Sequence, residues 1–110
     1  MKQNEILVIY GKNYTTLARQ LLEEAHLAEM IGDRKKVIGI KPNLVAPVPA
    51  EDGGTTHPEV VEGLIQYLQE HGFRNLRIME GSWVGDRTEE SFEVCGYTAL
   101  AEKYGVQLID

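Results

Sequence analysis

Residues 37–45 read VIGIKPNLV, and residues 53–60 read GGTTHPEV. The first stretch opens with an apolar, β-branched run, which is typical of a strand buried on both faces. The second places threonines and a proline ahead of a helical apolar repeat, which predicts a helix start. The connection from Pro42 to Thr56 has 15 residues, and connections of this length are usually functional or disordered. We interpret the whole stretch as a binding loop, because it carries a cation, amides, hydroxyls and an imidazole.

Strand-like and helix-like segments alternate on both sides of this loop. Apolar runs predict four strands, at Ile6–Tyr10, Val37–Ile40, Leu76–Met79 and Val106–Ile109. Helical spacing predicts helices at 14–30, from the Thr56–Pro58 region to Gly72, and at 88–104 with a break at Gly96.

The order βαβαβαβ implies a parallel sheet with right-handed crossovers. We therefore expect an α/β fold with three layers and a mainly parallel four-stranded sheet, in strand order 2-1-3-4. The fold would be Rossmann-like, but no strand is followed by the glycine fingerprint of dinucleotide-binding proteins.

Composition narrows the class of protein. A chain of 110 residues supports one domain, spanning residues 1–110. Its net charge of -6 argues against non-specific binding to nucleic acid. No apolar stretch approaches the roughly 20 residues of a membrane span, and no signal peptide is recognisable, so we expect no membrane partner and a cytoplasmic location. Cys95 is the single cysteine, so this chain alone cannot form a cysteine-ligated iron–sulfur cluster.

Four strands with three helices leave part of a sheet face poorly covered. Asp110, the last residue, directly follows the final predicted strand. The sequence therefore favours either a fragment of a longer protein, lacking a C-terminal region, or a subunit that hides this face in a homo-oligomer.

Polar side chains gather where the predicted parallel strands end, and ligands of open parallel sheets bind beyond that edge. We predict a crevice there for a small anionic ligand, such as a carboxylated or phosphorylated metabolite. Lys41 would hold its negative charge together with helix amides. The other predicted ligand-binding residues are Asn43, Thr55, Thr56, Ser82 and Asp86.

His57 and Glu80 are the candidate catalytic residues, as acid or base. Two structural readings stay open beside this one. Glu80 can form a plain ion pair with Lys41, and Thr56 can serve only to cap the following helix, with the cap one residue later if Pro58 shifts it. We predict no metal site, because His57 would need further ligands from separate loops.

Several of these motifs together resemble a known family. The segments KPNLV, TTHPEVV, EGS and the terminal VQLID resemble the uncharacterised prokaryotic family called domain of unknown function 362, from about Ile6 to Asp110. Members often carry a ferredoxin-like iron–sulfur segment and are longer. The resemblance implies an association with redox metabolism. A cluster is then expected only in a missing segment or a partner, and this chain itself is expected to hold no cofactor.

A second resemblance is architectural. The Thr56–Pro58 helix start and the glycine-containing loop at Glu80–Ser82 are similar in placement to those of the nickel-pincer lactate racemase family.

Three functions remain open from sequence: the ligand-binding part of a redox-associated or transfer enzyme, a small isomerase or racemase, and a non-catalytic assembly module. The sequence does not decide whether the chain is an enzyme.

Overall fold

The computed structural model describes residues 2–44, 48–81 and 88–110. Its elements, in chain order, are α1 (Tyr14–Ala25), α2 (Leu27–Ile31), β1 (Ile38–Ile40), a 3-10 turn (Ala50–Asp52), α3 (Pro58–Glu70), β2 (Leu76–Met79), α4 (Thr88–Val94), α5 (Tyr97–Tyr104) and β3 (Gln107–Ile109). The chain divides into two compact units: residues 1–36 with 59–74, and residues 37–58 with 75–110.

The first predicted helix is interrupted at His26. α1 begins after Asn13, whose side-chain oxygen accepts a hydrogen bond from the Thr16 amide at 3.0 Å, as an N-cap does. α1 ends at Ala25, the next residue His26 has the left-handed φ of 55°, and α2 starts directly after His26. The prediction of one helix to Met30 is corrected in this respect. Histidine adopts this conformation more readily than most side chains, so apolar spacing alone did not reveal the break.

α1 and α3 approach closely at Gly63. A β-carbon at Gly63 would lie 2.6 Å from the Thr15 carbonyl oxygen and 2.8 Å from Ala18 Cβ. Further along α3, the buried Tyr67 hydroxyl accepts a hydrogen bond from the Ala28 amide at 2.9 Å. The core of the first unit therefore depends on the absence of a side chain at Gly63 and on a hydrogen bond to the buried hydroxyl of Tyr67.

Ile6–Tyr10 is not a strand in the structure. Ile6, Val8 and Tyr10 are 85%, 62% and 91% exposed. No backbone within 2–44, 48–81 or 88–110 pairs with this segment in a ladder. The prediction of a first strand here is therefore corrected. An apolar β-branched composition suits a strand, but a strand forms only where a neighbour supplies its hydrogen bonds.

The second unit is built on a parallel sheet in which β2 lies between β1 and β3. Ile78 in β2 pairs in register with Ile40 on one side and with Leu108 on the other. Ile78 is fully buried and Ile40 nearly so. This apolar row anchors the sheet, as the apolar runs predicted.

The α/β class and the parallel sheet are confirmed, but the sheet has three strands among the described residues. The predicted order 2-1-3-4 is wrong, because the strand at 38–40 pairs directly with the strand at 76–79 and leaves no place between them. The three-layer arrangement and the single domain stay predictions.

The described part of the connection from β2 to β3 contains α4 and α5. Gly96, with φ of 86°, separates α4 from α5, and Gly105, with φ of 66°, ends α5. Glycine adopts this left-handed conformation without steric cost. The predicted break at Gly96 and the predicted helix end at residue 104 are both confirmed.

Candidate functional site

Lys41 and Glu80 meet at the carboxyl edge of the sheet. Lys41 directly follows β1 and Glu80 directly follows β2, so parallel pairing of these strands brings both residues to one edge. The Lys41 ammonium donates to Glu80 Oε2 at 3.2 Å. The Lys41 side chain is 68% exposed and the Glu80 side chain 5%. The pair thus has a solvent-facing cation above a buried carboxylate.

The Glu80 carboxylate is held by backbone amides as well. Its Oε2 also accepts from the Leu44 amide at 3.1 Å, and its Oε1 accepts from the Gly81 amide at 2.9 Å. The Glu80 amide itself donates to the Ile109 carbonyl at 3.1 Å. A buried carboxylate is tolerated when it is paired and hydrogen-bonded in this way. These contacts fix the carboxylate and thereby orient the Lys41 ammonium.

Asn43 and Thr56 close the base of the long loop. The Asn43 amide donates to the Thr56 hydroxyl at 2.9 Å, and the Thr56 amide donates to the Asn43 carbonyl at 2.9 Å. The Asn43 side-chain amide donates to the Gly54 carbonyl at 3.3 Å. Leu44 and Thr55 form an antiparallel bridge beside them. These contacts tie the two ends of the loop together, which is a structural task for two predicted ligand-binding residues.

Thr55 is buried at the base of the loop. It is 7% exposed, and its hydroxyl lies 3.5 Å from the Val48 carbonyl, to which it donates. The buried Cys95 thiol donates to the same carbonyl at 3.1 Å. The Tyr97 hydroxyl reaches the loop from α5 and donates to the Thr56 carbonyl at 2.8 Å. The loop base is thus packed and hydrogen-bonded from inside the second unit.

The remaining predicted site residues are His57, Ser82 and Asp86. His57 is half-buried and directly precedes α3, which begins at Pro58. This places the residue before the helix at His57 instead of Thr56, as the alternative cap allowed. Ser82 and Asp86 lie outside the described residues.

An open cavity of about 410 Å³ borders the Lys41–Glu80 pair. It lies wholly within the second unit and is lined by Gly39, Lys41, Met79, Glu80, Gly81, Ile109 and Asp110. Five lining residues were absent from the predicted site: Gly39, Met79, Gly81, Ile109 and Asp110. Strand register could have identified them, because Met79 pairs with Ile109. The register between β2 and β3 cannot be derived from the sequence alone.

Among the described residues, no three histidine, cysteine, aspartate or glutamate side chains are grouped to hold a metal ion. Within those same ranges, no helix has the length and apolar character needed to cross a membrane.

The second unit is thus a parallel α/β unit with an ion pair and an open cavity at the carboxyl edge of its sheet. Residues 38–110 match the family described as "Domain of unknown function (DUF362)", and the chain belongs to that family. The predicted family resemblance is confirmed over this range. No solved structure matches the chain.

Two curated relatives carry the name 1,4-alpha-glucan branching enzyme GlgB. The protein of Prochlorococcus marinus strain MIT 9515 is 34% identical over 96 residues, and that of Prochlorococcus marinus subsp. pastoris strain CCMP1986 / NIES-2087 / MED4 is 33% identical over 96 residues. Each match covers 74% of this chain but 12% of the relative. The chain thus spans about an eighth of the length of these enzymes.

Proposed function

We propose that the second unit binds a small anionic metabolite, carboxylated or phosphorylated, in the cavity beside Lys41. The observation that carries this proposal is the exposed ammonium held above a buried carboxylate. An ammonium has three donors, and Glu80 accepts from one of them. The others have no partner within the described parts of the chain, so they are available to a carboxylate or phosphate oxygen.

The family resemblance supports a larger context for this binding. We propose that the domain is the ligand-binding part of a cytoplasmic redox-associated or transfer enzyme. An iron–sulfur cluster would belong to a partner or to a further segment, because Cys95 is buried and is the single cysteine of the sequence. Glucan branching is not part of this proposal, because the similarity spans 12% of the branching enzymes.

The contacts of Glu80 favour positioning over proton transfer. Oε2 accepts two hydrogen bonds and Oε1 accepts one, so a single acceptor position of this buried carboxylate remains for a proton from a substrate. The racemase or isomerase alternative assigns acid and base roles to His57 and Glu80. It requires a substrate proton to reach that one position on a side chain that is 5% exposed, whereas simple binding uses the exposed Lys41 ammonium.

A thermal-shift assay with inorganic phosphate and with short carboxylates tests the binding. A ligand at about a hundredfold excess over its dissociation constant stabilises the folded state by roughly 2.7 kcal/mol. We expect this stabilisation to disappear in Lys41→Met and to persist in Lys36→Met, which removes an exposed lysine from the first unit. Lys41→Arg keeps the charge above Glu80 and should retain part of the response.

Two results would contradict the proposal. One is equal stabilisation of the native chain and of Lys41→Met by the same anion. The other is a native chain that no phosphate or carboxylate stabilises while it remains folded.

An assembly module is a second candidate, because the sheet presents apolar side chains to solvent. Val37, just before β1, is 56% exposed, and Met79 in β2 is 42% exposed. A second copy of the chain that covered these side chains would form the homo-oligomer expected from the sequence.

A further inference from the structure

The charges around the cavity do not suit an anion alone. Lys41 contributes one positive charge, whereas Glu80 and Asp110 each contribute a negative charge. Glu80 is buried and engaged by three donors, so its charge is largely compensated. Asp110 is exposed at the same cavity. A ligand that carried only negative charge would be attracted by Lys41 and repelled by Asp110.

An apolar floor separates these two exposed charges. Met79 and Ile109 are register partners on neighbouring strands. The sulfur of Met79 also reaches β1, because a β-carbon at Gly39 would lie 2.7 Å from it. The floor thus crosses the sheet from β1 to β3. Two interstrand spacings amount to about 10 Å, so the floor has room for a short methylene chain.

We infer that the ligand is a zwitterion whose carboxylate and ammonium groups are separated by a short methylene chain. The carboxylate lies at Lys41, the methylene groups lie on Met79 and Ile109, and the ammonium lies at Asp110. This inference rests on the proposed function and narrows its ligand class to ω-amino carboxylates. It assigns Asp110 a specificity-determining role.

Three compounds of equal chain length separate the two charge contacts. Isothermal titration calorimetry of the whole chain with 5-aminopentanoate, pentanoate and pentylamine measures each contact in turn. We expect 5-aminopentanoate to bind about tenfold more tightly than either singly charged compound. The isomer 2-aminopentanoate, whose charges are adjacent, should bind more weakly than 5-aminopentanoate. Added salt should reduce these differences, because the contacts are exposed.

Asp110→Asn provides the decisive variant when the variant and the native chain are both amidated at residue 110, because only the charge of this exposed side chain then differs and the buried network stays intact. We expect it to bring 5-aminopentanoate down to the affinity of pentanoate without weakening pentanoate. Glu102→Gln, an exposed carboxylate on α5, is the matched control and should change neither value.

The outcomes separate this inference from the proposed function. Equal affinity of the native chain for pentanoate and 5-aminopentanoate overturns the zwitterion and leaves anion binding intact. An unchanged preference in Asp110→Asn overturns the role of Asp110. Failure of every carboxylate and of phosphate to bind the folded native chain overturns both proposals.

Discussion

Glu80 shows how one buried charge can organise a sheet edge. Its carboxylate accepts hydrogen bonds from the Lys41 ammonium after β1, from the Leu44 amide in the loop and from the amide of the adjacent Gly81. Removing one partner of a buried pair leaves the other partner without its hydrogen bond or opposite charge. This destabilises the folded state more than replacing both partners by apolar groups of similar size. The residue is therefore expected to matter for stability whether or not it takes part in chemistry.

Glu80→Gln should destabilise the chain by about 1–3 kcal/mol. The substituted amide has one accepting oxygen, so its NH₂ group would face a backbone donor, and the charge pairing with Lys41 would be lost. Urea denaturation followed by circular dichroism measures the change. Glu102→Gln, at an exposed position on α5, serves as control and should lie within about 0.5 kcal/mol of the native chain. An equally small change in Glu80→Gln would show that the carboxylate network contributes nothing to folding.

At the scale of elements, close packing and helix propensity favour different residues at the α1–α3 contact. Gly63→Ala should raise helix propensity by roughly 1 kcal/mol. The added methyl group would nevertheless approach the Thr15 carbonyl to 2.6 Å, and backbone cannot move aside cheaply. We expect a net destabilisation of about 1 kcal/mol or more.

Denaturant unfolding of Gly63→Ala beside Gly54→Ala isolates this clash. At Gly54 nothing lies within 4 Å of an added β-carbon, so the second substitution should be close to neutral. A Gly63→Ala chain that is more stable than the native one would mean that the two helices can separate at no cost.

Elements with strong local signals could be predicted from sequence, and those that depend on distant partners could not. The strands at 38–40, 76–79 and 107–109 follow from apolar runs, and the break at Gly96 follows from one glycine. Lys41 and Glu80 could be placed together because parallel strands end at one edge. The cavity floor depends on register, and the state of residues 6–10 depends on a pairing partner. Local composition determines neither the register of the strands nor the presence of a pairing partner.

Hydrogen exchange can test whether residues 6–10 form a strand. No backbone group in the described residues accepts from the amides of this segment, so they should exchange at nearly the rate of an unstructured peptide. The amides of β2, which lies between two strands, should be strongly protected and provide the internal control. Strong protection across residues 6–10 would restore the strand that the composition predicted.

At the scale of the whole molecule, apolar exposure and net charge act in opposite directions. Val8, Val37 and Met79 are each more than 40% exposed, which favours association. A net charge of -6 opposes it by repulsion between copies. Salt screens the repulsion and leaves the apolar contribution, so self-association should strengthen as salt is raised.

We expect the sheet face around Met79 to mediate this self-association, because Val37 and Met79 lie on or beside paired strands, whereas Val8 lies on an unpaired segment. Sedimentation equilibrium of Met79→Lys and Val8→Lys compares the two surfaces. Both substitutions place a charge at an exposed apolar position and change the net charge equally. Met79→Lys should shift the equilibrium toward monomer by about tenfold, and Val8→Lys should not. A larger effect of Val8→Lys would assign the contact to the N-terminal segment, and a native chain that stays monomeric at high salt would remove the assembly alternative altogether.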